Sequence, residues 1–188
     1  MPISINGNGT ITGISVGGLP DGIVDTDMIA NAAVTKPKSS GIGGIENAQR
    51  WTKGAFSGDI DPITGFNKDT SYNGASLGSD MTVSSGVFTF PSTGIWHIQI
   101  QGYLYKNSNV LAGTIGIRTS VNSGTNWTYY QPKSYTHVTG TGGTQYATSI
   151  NSMLFDVTDT STHQVRFNSE GAGQWDKCWA NFTRLADT

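Results

Sequence analysis

The sequence predicts an all-β antiparallel sandwich of the jelly-roll type behind an extended N-terminal arm. Three observations lead there. Only 13% of the 188 residues are charged, against roughly 25% in an average soluble domain. Gly, Ser, Thr and Asn fill the difference, and they favour turns and exposed strand faces over helix interiors. From Ala55 onward, short strand-like runs recur between Gly/Pro/Asn clusters, and no useful length of helical period interrupts them. All nineteen aromatic residues lie from Trp51 onward, so the first fifty residues lack the side chains that bring most apolar area to a core. The division is an arm over 1–50 and a jelly-roll domain over 51–188.

Within the arm, Asn6-Gly7 and Asn8-Gly9 are turn signals between Ile5 and Ile11, which predicts a small hairpin. Asp25 or Thr26 can cap a short helix over 27–33. Lys36-Pro37-Lys38 ends it, and the Gly/Ser run 39–44 links to the domain. Ile11, Ile14, Val16, Leu19, Ile23, Met28 and Ile29 are spaced apolar anchors too sparse for a core. They are expected to hold the arm against a partner surface, where a wrapping segment gains its contact area, the alternative being that the arm folds back on its own domain.

The domain's clearest strand covers 94–105. Trp96, Ile98, Ile100, Gly102 and Leu104 fall on one face, and Ile95, His97, Gln99, Gln101 and Tyr103 on the other. The first set is the core face. The second mixes polar and aromatic groups, as a wet surface or a subunit interface does. Further strands are expected over 55–60, 81–83, 87–90, 114–121, 127–130, 146–157, 163–167 and 177–185. Pro91-Ser92-Thr93-Gly94, Asn122-Ser123-Gly124-Thr125-Asn126 and Thr139-Gly140-Thr141-Gly142-Gly143 are the turns between them. No tandem repeat is present, which argues against a propeller or β-helix.

Phe66-Asn67-Lys68-Asp69 and Ser85-Gly86-Val87-Phe88-Thr89-Phe90-Pro91-Ser92-Thr93-Gly94-Ile95-Trp96 resemble the tumour-necrosis-factor and complement globular-head superfamily. There a Gly-x-Phe-x-x-Pro strand precedes a Gly-x-aromatic start to the next. The resemblance covers strand layout over about 55–186 and some dozen positions closely. It departs at Trp179-Ala180-Asn181-Phe182, where the superfamily's aromatic-Gly-aromatic element lacks its glycine. It implies a ten-stranded jelly roll and a homotrimer around an aromatic-rich axis. In the arm, Gly18-Leu19-Pro20-Asp21-Gly22 and Asp27-Met28-Ile29-Ala30-Asn31-Ala32-Ala33-Val34-Thr35 resemble connecting segments of bacteriophage fibre and minor virion proteins. That likeness implies a virion location, contacts with portal, tail or capsid proteins, and a role as tail fibre, knob or capsid decoration.

The remaining chemistry is sparse. Net charge is −2 and no Lys/Arg run occurs, so nucleic acid is not an expected partner. No run approaches the ~20 apolar residues of a membrane span, and Met1-Pro2-Ile3-Ser4-Ile5 lacks the charged start of a secretory leader. Cys178 is unpaired in a strand and reads as a small buried hydrophobe. His97, His137 and His163 are scattered. Asp59 with Asp61, and Asp156 with Asp159, are loose carboxylate pairs that could hold calcium but more often form turns. No cofactor, metal or catalytic set is expected, and the chain is not expected to be an enzyme. Trp127, Tyr129, Tyr130 and Trp175 flank polar loops. They are the candidates for contact with a host cell-surface polysaccharide, which would make the chain a receptor-binding module of a tail fibre, against the commoner fate of Trp and Tyr in core or intersubunit packing.

Overall fold

A computed structural model describes residues 45–71, 76–106, 111–129, 133–138 and 143–188, together with the backbone of 4–5 and 11–12. The chain forms two compact units, Met1–Ile42 and Gly43–Thr188. In the first, β1 (Ser4–Ile5) and β2 (Ile11–Thr12) pair antiparallel with Ser4 opposite Thr12 and Ile5 opposite Ile11. This is the hairpin that the Asn-Gly turns predict. The expected helix over 27–33 and the anchors Ile14, Val16, Leu19, Ile23, Met28 and Ile29 lie outside the described residues, and Ile11 is described only as backbone.

The second unit is an antiparallel jelly roll with no helix among the described residues. Its strands are β3 (Asn47–Lys53), β4 (Phe56–Ser57), β5 (Asn67–Lys68), β6 (Ser76–Leu77), β7 (Thr82–Ser84), β8 (Val87–Thr89) and β9 (Gly94–Lys106). After these come β10 (Leu111–Ser120), β11 (Thr128–Tyr129), β12 (Ser134–Val138), β13 (Gln145–Val157), β14 (Gln164–Glu170) and β15 (Gln174–Ala186). One sheet has the order β13-β9-β15-β3-β5, with β4 beside β15 and β6 beside β3. The other has the order β11-β10-β14-β8-β7, with β12 also on β10.

The alternation in β9 has the expected consequence. Trp96, Ile98, Ile100 and Leu104 are fully buried between the sheets. Phe88 is the hub of the core, with ring centroids 5.0–5.7 Å from those of Trp51, Phe66, Phe167 and Phe182. Such pairs add about 0.5–1.5 kcal/mol each beyond area burial. Cys178 is buried among them, and desolvation pushes its thiol up to about 12, so it behaves as a core hydrophobe.

Strand β3 escapes the aromatic criterion, and the boundary drawn after residue 50 falls inside it. Asn47 and Gln49, both buried, precede Trp51. Gln49 Oε1 accepts from the Met81 backbone N–H (2.8 Å) and the Trp51 indole N–H (3.3 Å). The side-chain amides of Asn47 and Gln49 both donate to the Ser79 carbonyl. A polar clamp therefore starts the strand, and buried polar groups of this kind persist only when hydrogen-bonded. Strands β5, β6 and β12 also go unpredicted, being short or rich in polar residues.

Candidate functional site

Each sheet turns one face to the core and one outward, and the two outward faces differ in chemistry. On the first sheet, β13 is the edge strand. Its outward residues include Tyr146, Ile150 and Leu154, which are 61%, 50% and 59% exposed. Register places them opposite Tyr105, Gln101 and His97 of β9. Farther in, Tyr103 and Trp179 meet edge to face at 4.9 Å. Two shallow depressions flank this pair. One, of about 180 Å³, lies over Arg50, Gln101 and Asn181; the other, of about 430 Å³, lies over Tyr146, Thr148 and Asp176. An exposed apolar row along a sheet edge is the kind of surface that marks an interaction site.

On the second sheet the outward face is charged and internally paired. Asp61 bridges two arginines that stand opposite each other on β10 and β14. Arg118 Nη1 lies 2.9 Å from its Oδ2, and Arg166 reaches both oxygens at 2.9 and 3.0 Å. Arg166 also stacks 4.2 Å over Trp127, and Arg118 stacks 3.9 Å over Tyr129. The Tyr129 ring runs across Gly116, where a Cβ would come within 3.1 Å of it. Its hydroxyl bonds Glu170 and Asn168. Lys133 reaches Glu170 Oε2 at 2.6 Å. The Lys133 ammonium, with the Tyr129 hydroxyl, holds the Glu170 carboxyl below the usual carboxylate range, and the same contact raises Lys133.

The aromatic set singled out from sequence does not survive as one surface. Trp127 and Tyr129 are half-buried parts of this network, their rings occupied by cations. Tyr130 lies outside the described residues. Trp175 is fully buried, stacked on Phe56 with centroids 6.1 Å apart, and it is a core residue rather than a glycan contact. The cause is a bulge between Trp175 and Lys177 in the pairing of β15 with β9. The extra residue resets the alternation, so Trp175 and Cys178 both point inward. Gly102 makes the room, since a Cβ there would lie 2.8 Å from the Trp175 ring.

Three of the four carboxylates in the pairs are likewise engaged, and Asp156 is exposed on β13. Asp59 accepts from the Gly171 backbone N–H, and Asp61 is held by its two arginines. Asp159 accepts from the Ser161 backbone N–H and hydroxyl at 2.8 and 2.7 Å, which closes a turn and holds its carboxyl below the usual range. His163 is buried with its ring over Phe155 and its nitrogens toward Thr158 and Thr162. His97 is half-buried on the first sheet, and His137 is exposed on the second.

Sequence reasoning missed Tyr135, which is 69% exposed, as well as the outward row of β13. In β13 both alternating sets carry apolar residues (Tyr146, Ile150 and Leu154 against Ala147, Met153 and Phe155), so period alone does not say which faces water.

No family model matches the chain, and no curated protein matches it in sequence. Solved structures match in fold. Murine APRIL at pH 5.0 superposes with a TM-score of 0.50 at 7% identity, over 74% of this chain and 98% of that one. Eiger TNF from S. frugiperda gives 0.50 at 13% identity, over 76% of this chain and 95% of that one. The likeness at these identities is one of fold. It agrees with the jelly roll that Phe88, Phe90, Pro91, Gly94 and Trp96 imply.

Proposed function

We propose that this chain is a non-enzymatic structural protein of a bacteriophage virion. Its jelly roll forms a homotrimer, and residues preceding β3 form an arm that docks on portal, tail or capsid proteins. The observation that carries the assembly half is the outward face of the first sheet. Tyr146, Ile150 and Leu154 expose apolar area along an edge strand, beside Tyr103, Trp179 and amide side chains. Burial against sister copies removes that area from water, at about 25 cal/mol per Å², and closed rotational symmetry satisfies every copy at once. The virion half is supported by the arm's composition. It has no aromatic residue, carries spaced Ile, Val, Leu and Met, and holds the Gly-Leu-Pro-Asp-Gly and Asp-Met-Ile-Ala phrases that resemble phage fibre segments.

Light scattering coupled to size-exclusion chromatography on the full chain tests the first half. A trimer mass at micromolar concentration is expected, and a clean monomer overturns it. Complementation of particles with protein lacking 1–42 tests the second. Loss of incorporation is expected, and normal incorporation removes the arm's role.

A further inference from the structure

The bulge in β15 also shapes the outward face of the first sheet. Trp175 and Lys177 keep register with Leu104 and Tyr103 of β9, and Asp176 between them is the extra residue. Asp176 is exposed, and it lines the depression of about 430 Å³ together with Tyr103, Tyr146 and Thr148. That size falls within the ~300–1,000 Å³ of small-molecule sites. Thr148 stands opposite Tyr103, and Tyr103 stands opposite Lys177, the chain neighbour of Asp176. At strand spacings of ~4.8 Å the depression spans roughly 10 Å from β13 to β15, with Tyr103 in the middle.

We propose that this depression seats an alkylammonium cation, with Asp176 as counter-charge and Tyr103 and Tyr146 as ring partners. Three observations bear on the ligand's chemistry. Among the described residues the Asp176 carboxylate has no hydrogen bond or ion pair, whereas Asp61, Asp69, Asp80 and Glu170 each hold an arginine or lysine. Tyr146 is 61% exposed beside Tyr105, their centroids 6.2 Å apart, and Tyr103 is fixed edge to face against Trp179. The electron-rich face of such a ring attracts a cation. Two cations on the same sheet face are directed elsewhere. Arg50 is paired with Asp69 at 2.7 Å, and the Lys177 ammonium lies 5.8 Å from the Trp179 ring.

Charge narrows the class further. An anion would meet the Asp176 carboxylate, and a neutral ligand forgoes the ion pair. An ammonium carrying alkyl groups suits both the carboxylate and the rings. A lysine side chain of a neighbouring protein and a choline-type headgroup share this chemistry. The lining residues belong to one protomer, while Tyr146 also lies in the row that the assembly reading buries, so both assembly states enter the test.

Tetramethylammonium, choline and N-acetyl-lysine methylamide are titrated into the full chain. They are titrated also into Ile150→Gln combined with Leu154→Gln, which the assembly reading makes monomeric without adding charge. NMR follows the Tyr103 and Tyr146 rings and the Asp176 amide. Saturable shifts are expected in at least one of the two forms, and the tighter binder of choline and the lysine probe names the source. The uncharged isostere of choline, with a tert-butyl group in place of trimethylammonium, should cause none. Asp176→Asn should weaken binding roughly three- to five-fold and Tyr146→Leu roughly three-fold. Tyr135→Ala on the other sheet should change nothing. Asp176 and Tyr146 are exposed, so both variants keep the fold. Absence of saturable shifts with all three cations in both forms overturns the proposal. So does equal binding of the uncharged isostere, or undiminished binding in Asp176→Asn. Light scattering on the same samples reads assembly separately. A monomeric full chain that binds the cations sinks the trimer and keeps this site; a trimer whose two forms both ignore them does the reverse.

Discussion

The outward faces of the two sheets share one strand geometry and differ in whether their side chains complete one another. On the second sheet, Asp61, Arg118, Arg166, Trp127, Tyr129, Lys133 and Glu170 form a continuous run of ion pairs and cation–ring contacts. Each charge there has an opposite charge or a ring beside it. On the first sheet, Tyr146, Ile150 and Leu154 project into water, and nothing else in the described jelly roll covers them. A polar surface can be satisfied by its own neighbours through hydrogen bonds. An apolar one is satisfied only by removal from water, which needs a second surface. The same fold thus presents one face whose charged groups pair among themselves and one whose edge carries an uncovered apolar row.

Making the apolar row of the first sheet polar should have the largest effect. Ile150→Lys combined with Leu154→Lys is expected to convert the proposed trimer to monomer, weakening association by roughly a hundred-fold or more. The variant's melting temperature should fall below that of the assembled chain and lose its dependence on protein concentration, because association no longer adds to stability. Tyr135→Lys on the other sheet should leave the mass by light scattering unchanged. Equal effects from both changes would erase the distinction.

A smaller effect tests where the domain that carries both faces begins. Gln49→Ala orphans the buried Met81 and Trp51 N–H groups and should cost about 3 kcal/mol in urea unfolding. A chain beginning at residue 51 should be destabilised at least as much, while one beginning at 43 keeps the clamp and should match the full chain. Equal stability of all three would show that the clamp contributes nothing.

The face with paired charges should respond more modestly. Asp61→Asn leaves the facing Arg118 and Arg166 guanidinium groups without their shared counter-charge. A loss of about 1–2 kcal/mol is expected, between the values for exposed and buried pairs. The shape of the first sheet and the oligomeric mass should not change.

The smallest effect is acid lability. Asp69, Asp159 and Glu170 all have folded-state values below their ordinary ones. Backbone donation from Ser71 is the main cause for Asp69, donation from Ser161 for Asp159, and the Lys133 contact for Glu170. Because the folded values are the lower ones, the stabilisation is fully present above the unfolded values of 3.8–4.5 and is lost as pH falls through the folded ones. Melting temperature should therefore be flat from neutral pH down to about 5 and fall below it. Glu170→Gln should flatten part of that fall. A profile rising toward acid would contradict the assignment.

What depends on near neighbours along the chain could be read from the residues alone. Side-chain alternation has a period of two, so Trp96, Ile98, Ile100 and Leu104 declare one face of β9 wherever the strand lies. Turn residues declare their corners in the same local way, as Ser123 and Gly124 do between β10 and β11. Long apolar strands were accordingly legible, with ends displaced by a few residues. What stayed hidden depends on register between distant segments. Gln49 falls within the stretch assigned to the arm until Met81 and Trp51 are placed against it. Trp175 reads as a loop aromatic until the bulge in β15 turns it inward beneath Gly102. Asp61 reads as half of a carboxylate pair until Arg166, 105 residues along the chain, arrives beside it. Tyr146, Tyr103 and Asp176 line one depression only when β13, β9 and β15 pair. Cross-strand neighbours are set by which strands meet and at what offset, and that choice is made by the packing of the whole sandwich rather than by any one segment.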